Sequence, residues 1–104
     1  MGDDPELRRL LWFLLGGSRG GGNRARIILK LRERPYNLNQ MANELGIQYK
    51  AVQHHARVLL RSALIMSTGE KYGVTYSLSS WLERHFEIFE EVCKKLRLDF
   101  NHSS

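Results

Sequence analysis

Hydrophobic and polar positions recur at helical spacing along most of the chain, and two such segments follow one another closely between residues 38 and 61. The first is a short predicted helix, capped by Asn39, whose apolar face consists of Met41, Ala42 and Leu45. Gly46 follows at the point where a helix ends in a left-handed residue, and Ile47 fills the turn. The second predicted helix runs from about 48 to 61 and turns inward Val52, Ala56, Leu59 and Leu60.

The flanking pattern predicts four further elements. A leucine-rich helix begins near Pro5, behind acidic residues that favour the positive end of a helix dipole. Asn23 or Arg24 opens the next helix, which ends before Pro35 because the residue preceding proline disfavours the helical conformation. Residues 65–68 and 74–78 form a hairpin around a turn with glycine at both ends. A long final helix spans about 81–98, and Ser79 or Ser80 caps it.

This order of elements predicts a mainly α fold with a small β-hairpin. The arrangement is a winged helix-turn-helix with N- and C-terminal flanking helices. We expect a single domain over residues 1–104: a helix and glycine-rich loop at 1–22, the winged core at 23–78, and a dimerisation helix with a frayed tail at 79–104.

The outward face of the second helix contains no carboxylate. Its side chains are long or flat hydrogen-bond donors: Gln48, Tyr49, Lys50, Gln53, His54 and Arg57. An ordinary solvated helix face mixes Glu with Lys, whereas a helix in the major groove of DNA presents donors that reach base edges. We therefore predict that the first five of these residues read bases. The alternative is a pair of core helices with a polar exterior.

Basic residues near this unit are the predicted contacts to the DNA backbone: Arg19, Arg24, Arg26, Arg57, Lys71 and, beside them, Tyr72. The glycine-rich tract at 16–22 lacks the Gly-Lys-Ser/Thr ending of a Walker loop, so we interpret it as a connector or as a grip on a DNA phosphate. The hairpin is either a wing that reaches DNA through its tip or a cap on the core.

Two apolar stripes exceed what one small core is expected to cover. They include Leu11, Leu14, Leu82, Phe86, Phe89, Val92, Cys93 and Leu96. We predict that these residues form a two-fold dimer interface, which would place two recognition helices about one DNA turn apart. The alternative is that the final helix folds back on its own domain.

Charge and composition limit the kinds of partner and the compartment that we expect for this protein. Residues 1–64 hold eleven Lys and Arg against five Asp and Glu, whereas residues 65–104 hold five against six, so the excess charge accompanies the two-helix unit. The single cysteine excludes an internal disulfide and fits a reducing cytoplasm. The longest apolar run, at 10–15, is too short to span a bilayer, so no membrane association is expected.

Catalytic and metal chemistry receive little support. No serine has a placed base and acid, so we predict that the protein is not an enzyme and needs no cofactor. His54 and His55 are adjacent in a helix and point about 100° apart, so they do not converge on one ion. We expect His55 nearer the core. His85 and Cys93 are too far apart to share an ion within one chain, and only a dimer could bring them together.

The segments at 23–65 and 69–79 resemble winged helix-turn-helix transcriptional regulators of the ArsR and MarR kind, and most closely the archaeal members. The resemblance covers NRARIILKLRERPYNLNQMANELGIQYKAVQHHARVLLRSALI and GEKYGVTYSLS. It implies that the residues similar to the recognition helix, from Gln48 to Arg57, contact DNA. The metal-binding Cys-x-Cys box of the arsenic-sensing members is absent, so metal sensing is not implied.

The sequence thus predicts a homodimeric, sequence-specific regulator that binds double-stranded DNA. Two alternatives remain open, a winged helix that docks proteins of the transcription machinery and one that binds RNA. The residues assign no small-molecule effector, operator or direction of regulation.

Overall fold

The helix-turn-helix lies at the middle of the chain, as the hydrophobic pattern predicts. A computed structural model describes residues 3–17, 19–70 and 73–98. Its helices and strands are, in chain order, α1 (Pro5–Gly16), α2 (Gly21–Glu33), α3 (Leu38–Leu45), α4 (Tyr49–Arg61), β1 (Ile65–Thr68), β2 (Thr75–Leu78), α5 (Ser80–Arg84) and α6 (Phe86–Lys95). Since α2 packs against α1, α3, α4 and β2, it is the centre of the core. The observed class is mainly α with one antiparallel hairpin, which confirms the predicted fold.

A capping box fixes the start of α3. The Asn37 side chain accepts from the Gln40 backbone N–H at 2.8 Å, and the Gln40 side chain accepts from the Asn37 N–H at 2.8 Å. The predicted cap, Asn39, was therefore wrong by two residues. Gly46 ends the helix with φ of 68°, a left-handed conformation that costs glycine little, so the predicted turn into α4 is confirmed.

The hairpin pairs Ile65 with Leu78 and Thr68 with Thr75, and both Ile65 and Leu78 are buried at its base. Tyr36 adds one bridge to Tyr76: its N–H donates to the Tyr76 carbonyl at 3.1 Å and its carbonyl accepts from the Tyr76 N–H at 2.8 Å. The wing is therefore anchored to the segment that precedes the helix-turn-helix.

The glycine-rich tract is shorter than a loop over residues 16–22. Gly16 still belongs to α1, and Gly21 and Gly22 already belong to α2, so the predicted start at Asn23 or Arg24 was too late. A Cβ at Gly21 would overlap the Leu15 carbonyl oxygen, so glycine here lets the two helix ends approach closely. The tract is a tight corner between α1 and α2.

The predicted final helix is two helices. Ser79 caps α5 as predicted, but the helical conformation is interrupted at His85, which has φ of −124° and ψ of 34°. No proline or glycine marks this position. The break lies where Asp4 of the α1 cap approaches: Trp81 Nε1 donates to Asp4 at 2.7 Å and His85 Nε2 lies 3.9 Å from the same carboxylate. Contacts from a distant part of the chain thus surround this break.

The predicted dimer-interface residues lie in the chain's own core. Those that are buried within one chain are Leu11, Leu14, Leu82, Phe86, Phe89, Val92 and Cys93, and Leu96 is half-buried against them. The assignment of the seven buried side chains to a dimer interface was wrong, whereas Leu96 stays a prediction. The alternative, a terminal helix folded back on its own domain, is what the structure shows. The reason is that α1 and α6 pack on each other, and Arg32 of α2 covers the Phe86 ring at 3.8 Å.

Candidate nucleic-acid interface

Helix α4 presents one exposed polar face. Its exposed side chains include all six predicted DNA contacts on this helix: Gln48, Tyr49, Lys50, Gln53, His54 and Arg57. On the opposite side Val52, Ala56 and Leu59 are buried, and they fix the rotation of the helix on the core. The Gln48 carbonyl accepts the N–H groups of residues 51 and 52 at 3.0 Å, so Gln48 is the N-cap. The exposed face therefore includes the amino end of α4.

A cleft of about 170 Å³ runs beside the exposed face of α4. Gln53 and Arg57 line one side of the cleft, Leu38 of α3 and Tyr76 of β2 lie across from them, and Ala56 and Leu60 complete it. A second cleft, of about 270 Å³, lies between Tyr49 and the segment Gly73, Val74 and Tyr76 of the hairpin. The exposed face of α4 is thus a ridge between two clefts rather than a flat surface. This shape fits insertion into a groove of a DNA duplex.

The six predicted backbone contacts occupy different environments. Arg19 and Arg57 are exposed, as a phosphate contact requires. Arg26 is half-buried and donates to the Asn23 side chain at 3.2 Å and to the Leu45 carbonyl at 2.8 Å. It therefore joins α2 to the end of α3, contrary to the prediction of a free phosphate contact. Lys71 and Tyr72 lie outside the described residues.

The prediction that Arg24 contacts the DNA backbone was wrong. Its side chain is 7% exposed, so the structure contradicts its predicted role on the DNA backbone. Arg24 Nε donates to His55 Nδ1 at 3.3 Å, and Nη1 donates to the Leu14 carbonyl at 3.1 Å. The sequence did contain a signal: Arg24 precedes Ile27, Ile28 and Leu31 by three, four and seven residues, so it lies on the inward stripe of α2.

His54 and His55 take the two environments that the sequence predicts. His54 is exposed on the α4 face, and His55 is 7% exposed beneath it. Burial lowers the pKa of His55 below its ordinary value, and the nearby charges of Arg24 and His54 lower it further. The His55 imidazole is therefore held neutral, with Nδ1 as a hydrogen-bond acceptor.

Two large apolar side chains that are exposed were not among the predicted dimer-interface residues. Phe13 is 63% exposed and Trp12 is 37% exposed, and both lie on the outer side of α1. The sequence shows these two residues as extra apolar area on a leucine stripe, and only the packing of α1 on α6 reveals that they remain uncovered. They form the most apolar part of the described surface of α1.

The remaining chemistry of the described residues is modest. Burial raises the pKa of the Cys93 thiol to about 12, with Glu90 adding to the effect, so the thiol stays protonated at neutral pH. Over residues 3–17, 19–70 and 73–98, no three His, Cys, Asp or Glu side chains are grouped so as to hold a metal ion. In the same ranges, every helix is too short or too polar to cross a bilayer.

The structure thus combines an exposed donor face on the second helix of a helix-turn-helix with a hairpin that follows it. Residues 22–67 match the family model "Bacterial regulatory protein, arsR family". The match begins in α2 and ends in β1, so it contains the whole helix-turn-helix. The matched family is described as one of regulatory proteins. No curated protein shows a significant sequence match to the chain.

Solved structures share the fold along most of the chain. A homodimeric winged helix-turn-helix DNA-binding domain, Mb0332 of Mycobacterium bovis, aligns with a TM-score of 0.65 at 16% identity, covering 100% of this chain and 96% of its own. Reduced HlyU of Vibrio cholerae aligns with a TM-score of 0.61 at 19% identity, covering 90% of both chains. ZitR of Lactococcus lactis in complex with DNA gives 0.58 at 23%, covering 88% of this chain and 70% of its own. These similarities establish the winged helix-turn-helix fold.

Proposed function

We propose that this protein is an ArsR-like transcriptional regulator that binds specific sequences of double-stranded DNA as a homodimer. The observation that carries the proposal is the exposed, carboxylate-free face of α4, from Gln48 to Arg57. The family match of residues 22–67 supports it, as does the likeness to a fold that in ZitR is seen on DNA. An archaeal origin stays a prediction.

Within this proposal α4 enters the major groove amino end first. Base reading falls to Gln48, Tyr49, Lys50, Gln53 and His54, because their side chains are exposed on one face and are able to donate to base edges. Arg57 and Arg19 remain as phosphate contacts, whereas Arg24 and Arg26 are withdrawn because both have internal partners. Lys71 and Tyr72 stay predictions for the wing on the flanking backbone or minor groove.

DNA binding is tested by selecting bound duplexes from a random-sequence pool and comparing a selected duplex with an unselected one in mobility shifts. Gln53→Ala is expected to lose about 1–3 kcal/mol of discrimination at one base pair. Arg57→Ala is expected to weaken both duplexes alike and to reduce the salt dependence by about one ion. Lys94→Ala, which removes an exposed charge on α6, is the control. It should change neither the discrimination between the duplexes nor the salt dependence of binding.

Equal losses of Gln53→Ala on both duplexes would refute its role in base reading. Folded RNA added as a competitor in the same mobility shifts tests the RNA-binding alternative: RNA that displaces the duplex at equal concentration would favour it. A wild-type protein that enriches no duplex at all would refute the proposed function.

The proposed homodimer buries other side chains than the ones that the sequence assigned to the interface. Phe13 and Trp12 expose large aromatic area on α1, and burying an exposed aromatic ring stabilises an interface by about 1.5–3 kcal/mol. A second copy covering α1 would also repeat α4 across a two-fold axis. Phe13→Glu is therefore expected to shift the protein from dimer to monomer in light scattering. Met66→Glu, which alters an exposed apolar residue of β1, should leave the dimer intact.

A further inference from the structure

A buried arginine and a buried histidine connect three helices beneath the recognition face. Arg24 on α2 and His55 on α4 are each 7% exposed, and Arg24 Nε donates to His55 Nδ1 at 3.3 Å. The other end of the guanidinium donates to the Leu14 carbonyl of α1 at 3.1 Å. One planar side chain thus joins the backbone of α1 to a side chain of α4. Lysine cannot reproduce such a fork with its single ammonium.

The two ends of this connection lie next to the two surfaces on which the proposed function depends. Leu14 directly follows Phe13, the most exposed apolar residue of α1, and His55 directly follows His54, which is exposed on α4. The corner between α1 and α2 closes on the same ring, since a Cβ at Gly20 would lie 2.7 Å from His55 Cε1. Rotation of α4 on the core would therefore disturb both the hydrogen bond and this close packing.

We propose that Arg24 and His55 are a positioning pair that fixes the recognition helix relative to α1 and thereby sets the spacing at which a dimer reads DNA. This inference rests on the proposed function. Arg24 contributes to DNA binding through its hydrogen bonds and not through its charge, because its side chain is enclosed by the protein. Arg57 differs from it because its side chain is exposed on α4, where its charge is able to contact a phosphate.

The pair requires a neutral imidazole. Nδ1 accepts a hydrogen bond from Arg24 only while it carries no proton, and a second positive charge there would face the guanidinium. Among the described residues, the groups that act electrostatically on His55 are Arg24 from α2 and His54 from α4, and both oppose its protonation. Acidification below the ordinary range of histidine should thus break the connection, with loss of DNA binding as the consequence.

The first test compares two arginines under the same substitution. Arg24→Lys keeps the charge but loses the fork, and it is expected to weaken binding to the selected duplex by about tenfold with an unchanged salt dependence. Arg57→Lys is expected to keep most of the affinity because a lysine still contacts a phosphate. Wild-type affinity in Arg24→Lys, or a salt dependence reduced by about one ion in Arg24→Leu, would overturn the proposal.

The second test separates positioning from folding. In His55→Asn the side-chain oxygen takes the place of Nδ1 as an acceptor and does not titrate, so near-wild-type affinity at neutral pH is expected. His55→Leu removes the acceptor and should lose affinity for the selected duplex more than for an unselected one. Thermal unfolding of each variant shows that binding is measured on folded protein. Equal affinity of His55→Leu and wild type would contradict the proposal.

The pH profile provides the readout that a merely structural pair would not change. Wild-type protein and His55→Asn are compared, because the exposed His54 is present in both and contributes equally to both profiles. As the pH falls below about 6.5, the ordinary value for histidine, the wild-type protein is expected to lose affinity, whereas His55→Asn should lose less. Parallel profiles would overturn the requirement for a neutral His55.

The two proposals fail in different ways. If wild-type protein binds no duplex, the proposed function and the positioning role are both refuted. If wild-type protein binds a selected duplex and Arg24→Lys binds it equally well, only the positioning role is refuted. Nitrogen NMR shifts of His55 in the DNA-free protein add an independent check, since a proton found on Nδ1 at neutral pH would contradict the hydrogen bond from Arg24.

Discussion

Single residues at the α1–α2 corner show how much depends on one hydrogen atom in place of a methyl group. Gly20 has φ of 85° and packs on the His55 ring. At Gly22, two residues later, an added methyl group would have open space for at least 4 Å. The sequence contains the same residue type at both positions, yet one is required by conformation and contact and the other only occupies the first turn of α2. Their substitution should therefore have opposite effects.

We predict that Gly20→Ala destabilises the protein by at least about 1–2 kcal/mol, the cost of a left-handed alanine, with a further cost from contact with His55. Gly22→Ala should be neutral or stabilise by up to about 1 kcal/mol, because alanine favours the helix. Urea unfolding of both variants measures the difference. Similar losses of stability in the two variants would show that the corner is not packed as described.

At the scale of elements, the helix-turn-helix is bounded by local hydrogen bonds rather than by its apolar pattern. The capping box of Asn37 and Gln40 starts α3, and the left-handed Gly46 ends it. The apolar pattern located this helix but misplaced its cap by two residues, because Asn37 and Asn39 both lie shortly before Met41 and both are good capping residues. Only the backbone geometry distinguishes them.

We predict that Asn37→Ala lowers the free energy of unfolding by about 1 kcal/mol, since it removes the acceptor for the Gln40 N–H. Asn39→Ala is the matched control: Asn39 is exposed inside α3, and alanine there should be neutral or slightly stabilising. Thermal or urea unfolding distinguishes the two variants. A larger loss for Asn39→Ala than for Asn37→Ala would contradict the observed cap.

At the scale of the whole molecule, polar contacts close the amino end of α1 onto the two C-terminal helices. Asp4 caps α1 through the Leu7 N–H at 3.1 Å and accepts from Trp81 of α5 at 2.7 Å. Arg8 pairs with Glu91 of α6. The hydrogen bond from Trp81 lowers the pKa of Asp4, and contacts with Lys95 and then Arg8 lower the pKa of Glu91. Both carboxylates thus favour the closed arrangement when they are ionised.

Because these folded-state pKa values lie below the unfolded ones, their contribution to stability is present above the ordinary carboxyl range and is lost as the pH falls through the folded pKa. Asp4→Asn keeps a capping oxygen but has no charge. We predict that it is less stable than wild type at neutral pH and that the difference shrinks as the pH falls below about 4.

Urea unfolding at neutral and acidic pH measures this convergence. Glu70→Gln is the control, because Glu70 is an exposed acidic residue after β1, away from α1. It should show no comparable convergence. An Asp4→Asn variant whose deficit is the same at every pH would mean that the carboxylate charge does not stabilise the contact with Trp81.

The same three scales separate what could be predicted from what could not. Local pattern identified α3, α4 and the hairpin, because Met41, Val52 and their neighbours recur at the period of their element and Gly46 marks the turn. It failed for Arg24, because a basic residue on an apolar stripe can be buried only if another element supplies acceptors, here the Leu14 carbonyl and the His55 ring. Such acceptors lie far away in sequence and leave no local signal.

The sequence by itself determined the winged helix-turn-helix and the donor face of α4. Both depend on short-range periodicity, capping and the absence of carboxylates, which a chain carries in any conformation. Only the tertiary structure decided which apolar stripe is covered by its own chain and which aromatic residues of α1 remain exposed. The reason is that a hydrophobic stripe specifies only that it be buried, and the packing of α1 against α6 decides what buries it.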